Sequence, residues 1–117
     1  MSYFVADSSG LECIYRIIKK NKTPLARYNI IHVSSETASS SRISGKFAKK
    51  HLVVHKVPAL KIMKTMNLLK VSYETASALS LAKRLNAIYL TASKEAYIKA
   101  RKYGLKALLV EYSLNTV

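Results

Sequence analysis

The chain has 117 residues, half of them apolar, and its 20 Lys and Arg against six Asp and Glu give a formal charge of +14. This length suits a single domain, 1–117, and the apolar content excludes a disordered basic tail. So strong a positive charge favours a polyanionic partner, with nucleic acid ahead of an anionic membrane surface. No apolar run approaches the roughly 18 residues of a spanning helix, so we expect no membrane role.

Cysteine and glycine usage exclude further classes of protein. Cys13 is the one cysteine of the chain, which rules out an internal disulfide and favours a reducing, cytoplasmic compartment. The first ten residues lack the basic segment of a signal peptide. Three glycines in the whole chain exclude a P-loop or a dinucleotide-binding loop.

The N-terminal part of the chain predicts a strand, a turn and a helix. Residues 3–6 favour a strand, which stops at the cluster DSSG. The apolar spacing of Leu11, Ile14, Ile17 and Ile18 then predicts a helix. After a connection that begins at Pro24, residues 28–33 predict a strand or the approach to a helix. Residues 34–44 contain six serines and predict a loop or a weakly formed helix.

The second half of the chain continues this alternation. Residues 52–54 are compatible with a short strand or a helix end, and Pro58 opens a predicted helix that runs to residue 69. Ser72 caps the next helix, and residues 87–90 predict a buried strand. Ser93 caps a helix that ends at Gly104, and 107–110 predict a last strand. Such alternation predicts an α/β fold with a parallel sheet covered on both faces.

Two segments carry a resemblance to a known family. Residues 72–104, SYETASALSLAKRLNAIYLTASKEAYIKARKYG, resemble the closing half of a PIN domain, the fold of VapC-type toxin ribonucleases. In that family an acid begins a helix, a strand ends in Thr-x-Asp, and a last helix runs to a Gly. The opening VADSSG is similar to the family's first strand, which an Asp closes. The resemblance implies a PIN-like three-layer α/β/α sandwich with a central, mostly parallel sheet.

The resemblance also implies an acidic centre for one or two Mg²⁺ ions at the carboxyl ends of the strands. Asp7 and Glu74 match the family's acids, and Glu36 is a third candidate for both the metal and the catalytic set. Glu74 stands where the family usually has Asp, and Ser93 stands in place of the fourth acid. Ser93 keeps the capping role without the charge, so we expect an incomplete site. The ordinary alternatives are a helix cap for Asp7, a favourable dipole position for Glu74 and a surface position for Glu36.

Cations without nearby acids are the candidate phosphate contacts. No acid lies between Glu36 and Glu74, so the Lys and Arg of this segment cannot gain the ion pairs of an ordinary solvated face. The predicted nucleic-acid-binding residues are Arg42, Lys46, Lys49, Lys50, Lys56, Lys61, Lys64, Lys94, Arg101 and Lys102. Tyr97 and Tyr103 are candidates for base stacking. His51 and His55 have the i, i+4 spacing of a helical zinc pair, although phosphate contact or a surface position is preferred for them.

These observations lead to one preferred function and three alternatives. The preferred function is binding of structured RNA, such as ribosomal RNA among ribosomal proteins, through phosphate contacts, with nuclease activity lost or weak. It requires no cofactor. The first alternative is an active endoribonuclease of the VapC type, which would require Mg²⁺. The others are a complex with an acidic, antitoxin-like protein and a homodimer.

Overall fold

Helices and strands alternate along the chain in a computed structural model that describes residues 3–21 and 30–111. The strands are β1 Phe4–Ala6, β2 Ile31–Ser34, β3 Leu52–His55, β4 Ile88–Thr91 and β5 Ala107–Leu109. The helices are α1 Ser8–Asn21, α2 Ser35–Ser40, α3 Gly45–His51, α4 Ala59–Leu69, α5 Tyr73–Leu85 and α6 Lys94–Lys102. Among the described residues, no helix is both long enough and apolar enough to cross a bilayer.

The five strands form one parallel sheet in the order β3-β2-β1-β4-β5. Strand β2 pairs with one side of β1, and β3 pairs with the outer side of β2. Strand β4 then pairs with the other side of β1. The order therefore reverses between β1 and β4, and an open α/β sheet forms its crevice outside the carboxyl ends of the strands at such a point. Ala6, the last residue of β1, is in register with Leu90 near the end of β4.

Each face of the sheet buries its own apolar cluster. Successive side chains of a strand point to opposite faces, so Val5 and Ala6 belong to different clusters. Val5 packs with Ile62 of α4, with α5 and with two alanines of α6. Ala6 packs with residues of α1 and with Phe47 of α3. Helices cover both faces of the sheet, which confirms the predicted α/β/α sandwich.

Local signals located most of these elements. Ser72 and Ser93 cap α5 and α6 by accepting hydrogen bonds from backbone N–H groups three residues ahead. Pro58 precedes the first residue of α4, as predicted. The serine-rich segment 34–44 contains the short helix α2, and residues 52–54 lie in a strand. The connection at Pro24 and residues 28 and 29 of the predicted strand lie outside the described residues.

The sequence analysis missed helix α3. Ser44 caps it by accepting a hydrogen bond from the N–H of Phe47 at 3.1 Å, and the Phe47 ring is buried. Three lysines dominate the rest of its sequence, so its single large apolar side chain leaves no periodic pattern. This helix fixes the side of the sheet on which three of the predicted phosphate-contact lysines lie.

Candidate functional site

The candidate site lies where β1 and β4 end, at the crevice that the strand order predicts. Asp7 follows β1 directly, and its N–H donates to the carbonyl of Leu90 at 3.2 Å. Ser8 begins α1, and Thr91 ends β4. The fold therefore brings residues from the two ends of the chain to one edge of the sheet, as the resemblance implied for Asp7.

The Asp7 carboxylate is buried and accepts four hydrogen bonds. Its Oδ1 accepts from the hydroxyl of Ser9 at 2.8 Å and from the N–H of Gly10 at 2.9 Å. Its Oδ2 accepts from the hydroxyls of Tyr89 and Thr91, each at 2.7 Å. The bond from Gly10 is an N-cap of α1, and the bonds from β4 tie the first strand to the fourth. The predicted capping role of Asp7 is therefore confirmed, and it is only part of what this side chain does.

Tyr89 contributes a donor that the sequence analysis did not identify. Its side chain is fully buried in β4, an interior strand of the sheet. Burial, the negative charge of Asp7, the hydrogen bond to Asp7 and the charge of Glu74 raise its pKa well above the usual value for tyrosine. The phenol therefore keeps its proton and donates a hydrogen bond to Asp7. The available signal was a tyrosine inside a buried parallel strand, because such a hydroxyl needs a polar partner.

The Glu74 carboxylate joins three helices. Its Oε1 accepts from the hydroxyl of Ser8 at 2.9 Å, and its Oε2 accepts from the N–H of Ser8 at 3.1 Å and the hydroxyl of Thr37 at 2.5 Å. Glu74 lies in the first turn of α5, Ser8 in α1 and Thr37 in α2. Ser77 donates to the Glu74 carbonyl at 2.6 Å and bonds the Ser34 hydroxyl at 2.7 Å. A network of hydroxyls therefore surrounds this acid.

Glu36 is less buried than Asp7. It is partly exposed in the first turn of α2, where its Oε1 accepts from the Ser35 hydroxyl at 3.2 Å. It lines a cavity of about 430 Å³ together with Glu74, Tyr73 and three serines. The structure therefore brings Glu36 and Glu74 to one crevice, whereas the buried Asp7 does not line it and is linked to Glu74 through the next residue, Ser8.

Ser93 occupies the position of the fourth acid and serves the helix that follows. Its hydroxyl accepts from the N–H of Ala96 at 3.2 Å, and its own N–H donates to the Thr91 hydroxyl at 3.1 Å. The predicted capping role is confirmed. A hydroxyl here contributes no negative charge to the crevice.

The described acids do not fit the magnesium centre that the resemblance implies. Mg²⁺ requires an octahedral set of oxygen ligands with free lone pairs. Asp7 accepts four hydrogen bonds, which occupy its lone pairs, and Glu74 accepts three, which leave one lone pair on Oε1. In residues 3–21 and 30–111, no group of three or more Asp, Glu, His or Cys is close enough to hold a metal ion. The hydrogen bonds of Asp7 and Glu74 link the start of α1 to β4, α2 and α5.

The ten predicted phosphate-contact residues are all exposed, but they lie on both faces of the sheet. Lys46, Lys49 and Lys50 lie on α3, on the same face as α1. The members on the opposite face lie on α4 and α6 and are Lys61, Lys64, Lys94, Arg101 and Lys102. Arg42 and Lys56 lie in connections between elements.

The two tyrosines proposed for base stacking are partly buried. The Arg101 guanidinium lies 6.0 Å from the ring centre of Tyr97, and the Lys83 ammonium lies 4.9 Å from that of Tyr103. Each ring therefore has a cation close to one face.

His51 and His55 do not form the helical pair that their spacing allows, and the surface position preferred for His51 is wrong because this side chain is buried. His51 ends α3 and His55 ends β3, so the two do not share a helix face. The His51 ring packs 4.6 Å from that of Phe47. His55 instead pairs with His32 of the neighbouring strand, with its Nε2 at 2.8 Å from His32 Nδ1. Parallel pairing of β2 and β3 brings these rings together, and sequence spacing gave no signal for it.

Comparison with solved structures defines the class of fold as PIN-like. The structure of PAE2754 from Pyrobaculum aerophilum superposes with a TM-score of 0.66 at 13% identity, over 91% of this chain and 89% of that chain. A PilT N-terminus domain protein, SSO1118 from Sulfolobus solfataricus P2, superposes with a TM-score of 0.57 at 19% identity, over 92% of this chain and 87% of that chain. No family model and no curated protein matches the sequence. These likenesses establish the fold, and a fold hosts many functions.

Proposed function

We propose that this protein binds structured RNA, such as ribosomal RNA, through phosphate contacts and that its acidic crevice stabilises the fold instead of cleaving RNA. The observation that carries the proposal is the hydrogen bonding of Asp7 and Glu74. Their carboxylate oxygens accept hydrogen bonds from Ser8, Ser9, Gly10, Thr37, Tyr89 and Thr91. A Mg²⁺ ion bound by Asp7 would have to displace donors of this residue, at the cost of the fold contacts they make.

The charge of the chain supports the same function. The formal charge is +14, and the predicted phosphate-contact residues are exposed. Each phosphate neutralised by a Lys or Arg releases condensed counterions, which drives binding to RNA independently of base sequence. A VapC-type centre needs concentrated negative charge to recruit metal, and surrounding cations oppose that recruitment.

The test is RNA binding measured by fluorescence anisotropy at 50 and 200 mM salt, in Mg²⁺ and in EDTA. We expect a linear fall of log affinity with log salt concentration, because phosphate contacts dominate. Affinity in EDTA is expected to match that in Mg²⁺ once ionic strength is equal. Replacement of Glu36 by Gln is expected to leave affinity unchanged or slightly increased, because it removes a negative charge from the crevice. Absence of RNA binding at 50 mM salt would contradict the proposal.

The second candidate function is a Mg²⁺-dependent endoribonuclease of the VapC type. The observation in its favour is the crevice shared by Glu36 and Glu74. The discriminating measurement is cleavage of several labelled RNAs in Mg²⁺ and in EDTA by the wild-type protein and by Glu36→Gln. Our proposal expects no cleavage above that of a mock purification. Cleavage that requires Mg²⁺ and is abolished in the folded Glu36→Gln variant would establish the nuclease instead.

Copurification without nuclease treatment identifies the natural partner. Our proposal expects an RNA, either free or within a ribosomal particle with its ribosomal proteins. Recovery of a small acidic protein with no RNA would favour a protein-interaction module. Elution as a homodimer that does not bind RNA would favour self-association.

A further inference from the structure

A strongly cationic pocket lies between α4, α5 and the end of α6, away from the acidic crevice. Its volume is about 280 Å³. The cations that line it are Lys61, Lys64, Lys83 and Arg84. No carboxylate lines this pocket among the residues that the structure describes. Four like charges around so small a space create a local positive potential that favours an anionic ligand.

Two of these cations are held in place by neutral groups. Lys83 Nζ donates to the carbonyl of Tyr103 at 3.0 Å and lies over the Tyr103 ring. Arg84 donates to the carbonyl of Lys56 at 3.4 Å. Carbonyl oxygens and an aromatic face orient a cation without cancelling its charge. The pocket is therefore partly pre-organised and remains positively charged.

The floor of the pocket supplies a hydroxyl donor. Thr65 of α4 and Ser80 of α5 are buried, and their hydroxyl oxygens are 2.7 Å apart. The bond between them uses one of their two hydroxyl protons. Both side chains line the pocket. Their hydroxyls can therefore donate to an oxygen of a bound anion, as phosphate oxygens accept from Ser and Thr.

The pocket and the acidic crevice lie at opposite ends of α5. Glu74 is in the first turn of this helix, and Lys83 and Arg84 are in its last turn. At 1.5 Å per residue the separation along the axis is about 14 Å, which exceeds the Debye length of about 8 Å at physiological ionic strength. An anion in the pocket is therefore screened from the carboxylates of Asp7 and Glu74.

We propose that phosphates of bound RNA dock in this pocket, so that RNA lies on the face formed by α4, α5 and α6 and not on the α3 face. The inference rests on the proposed RNA-binding function and assigns its contact site. It adds Lys83 and Arg84 to the contact residues. Neither residue was among the predicted nucleic-acid-binding residues, because cations in the last turn of a helix are expected from the helix dipole alone.

Two triple variants with equal loss of charge test the site. The pocket variant is Lys61→Gln/Lys64→Gln/Arg84→Gln. The matched control is Arg16→Gln/Lys19→Gln/Lys20→Gln on α1, which lies on the opposite face and outside the predicted phosphate-contact residues. Lys83 is retained because it bonds the Tyr103 carbonyl. With a labelled single-stranded RNA and a labelled RNA hairpin, we expect the pocket variant to lose affinity at least about tenfold and its salt slope to fall by about 2, since each lost phosphate contact is worth about 0.7 for single strands. The control is expected to stay within about threefold of the wild type.

Lysine footprinting gives a readout that does not depend on variants. Acylation of the wild-type protein with and without RNA is expected to show protection of Lys61 and Lys64 but not of Lys46 and Lys50. Circular dichroism melts establish that both triple variants are folded before affinities are compared.

Each other outcome overturns a defined statement. Equal loss of affinity in the two triple variants, or equal protection of both lysine pairs, overturns the pocket and leaves RNA binding standing. Failure of the wild-type protein to bind either RNA at 50 mM salt overturns the proposed function and the pocket together. Binding of poly-glutamate as tight as that of RNA of equal charge shows that the pocket accepts an acidic peptide and overturns the phosphate assignment.

Discussion

The buried carboxylate of Asp7 is satisfied by donors from two elements, the first turn of α1 and the strand β4. The hydroxyls of Tyr89 and Thr91 reach it from β4 at 2.7 Å, and Ser9 and Gly10 donate from α1. A buried charge is stable only when such partners are present. The roles of these residues are therefore coupled, and removal of one donor leaves the charge less well satisfied.

Replacement of Tyr89 by Phe tests this coupling. The variant keeps the ring and removes the donor to Asp7, which is expected to reduce the free energy of unfolding by about 1.5–3 kcal/mol, the usual worth of a hydrogen bond to a charged group. The measurement is urea denaturation followed by circular dichroism. Tyr97→Phe is the matched control, because Tyr97 is only partly buried, and a change within about 0.5 kcal/mol is expected there. Equal changes in both variants would show that the bond to Asp7 contributes nothing.

At the scale of elements, the position of α1 against the sheet depends on close contact with β4. A Cβ atom added at Gly10 would lie 2.3 Å from the carbonyl oxygen of Leu90 and 2.8 Å from its carbonyl carbon. Both are backbone atoms of an interior strand, so they cannot move without disturbing the sheet. Gly10 therefore sets the distance between the first helix and the strand that carries Tyr89.

Gly10→Ala is expected to lower the free energy of unfolding by about 1–3 kcal/mol, the typical cost of overpacking. Gly45→Ala is a matched control, because nothing lies within 4 Å of a Cβ at that helical position. That change is expected to stabilise the protein by about 0.5–1 kcal/mol, since Ala loses less conformational entropy than Gly. Midpoints of urea unfolding measure both. A stable Gly10→Ala variant would contradict the close packing of α1 on β4.

At the scale of the whole molecule, positive charge dominates, and acid pH adds to it through the histidines. Burial lowers the pKa of His32 below the usual 6.5, and burial together with His32 and Arg84 lowers that of His55. The two rings bond across β2 and β3 at 2.8 Å. Folded and unfolded chains therefore differ in proton uptake below about pH 6.5.

Stability is expected to fall as pH decreases from about 6.5. The unfolded chain binds more protons than the folded chain there, because the folded pKa values are the lower ones. The stabilisation that comes from keeping His32 and His55 neutral is fully present above pH 6.5. It is lost as the pH falls through the pKa values that these histidines have in the folded chain. Thermal unfolding at pH 7.5 and 5.5 measures the effect, and the variant His32→Gln/His55→Gln is expected to show a smaller difference between the two. An identical difference in the variant would exclude these histidines as the source.

Sequence patterns located most elements because their signals are local. A capping serine, a proline before a helix or an apolar periodicity depends on residues within a few positions, as at Ser72, Ser93 and Pro58. Helix α3 was missed because Phe47 is its one large buried apolar residue. The acids Asp7 and Glu74 were identified through the resemblance at the two ends of the chain, and Lys83 and Arg84 were not separated from ordinary helix-terminal cations.

By itself, the sequence determined the excess of positive charge, the α/β alternation and the capping residues. Only the tertiary structure decided what the acids contact: Glu74 bonds Ser8, 66 positions away, and Asp7 bonds Tyr89, 82 positions away. It likewise decided that Lys61 and Lys64 share a pocket with Lys83 and Arg84 while Lys46 lies on the opposite face. The physical reason is that hydrogen bonds and charge clusters depend on distances in space, which strand order and helix packing set.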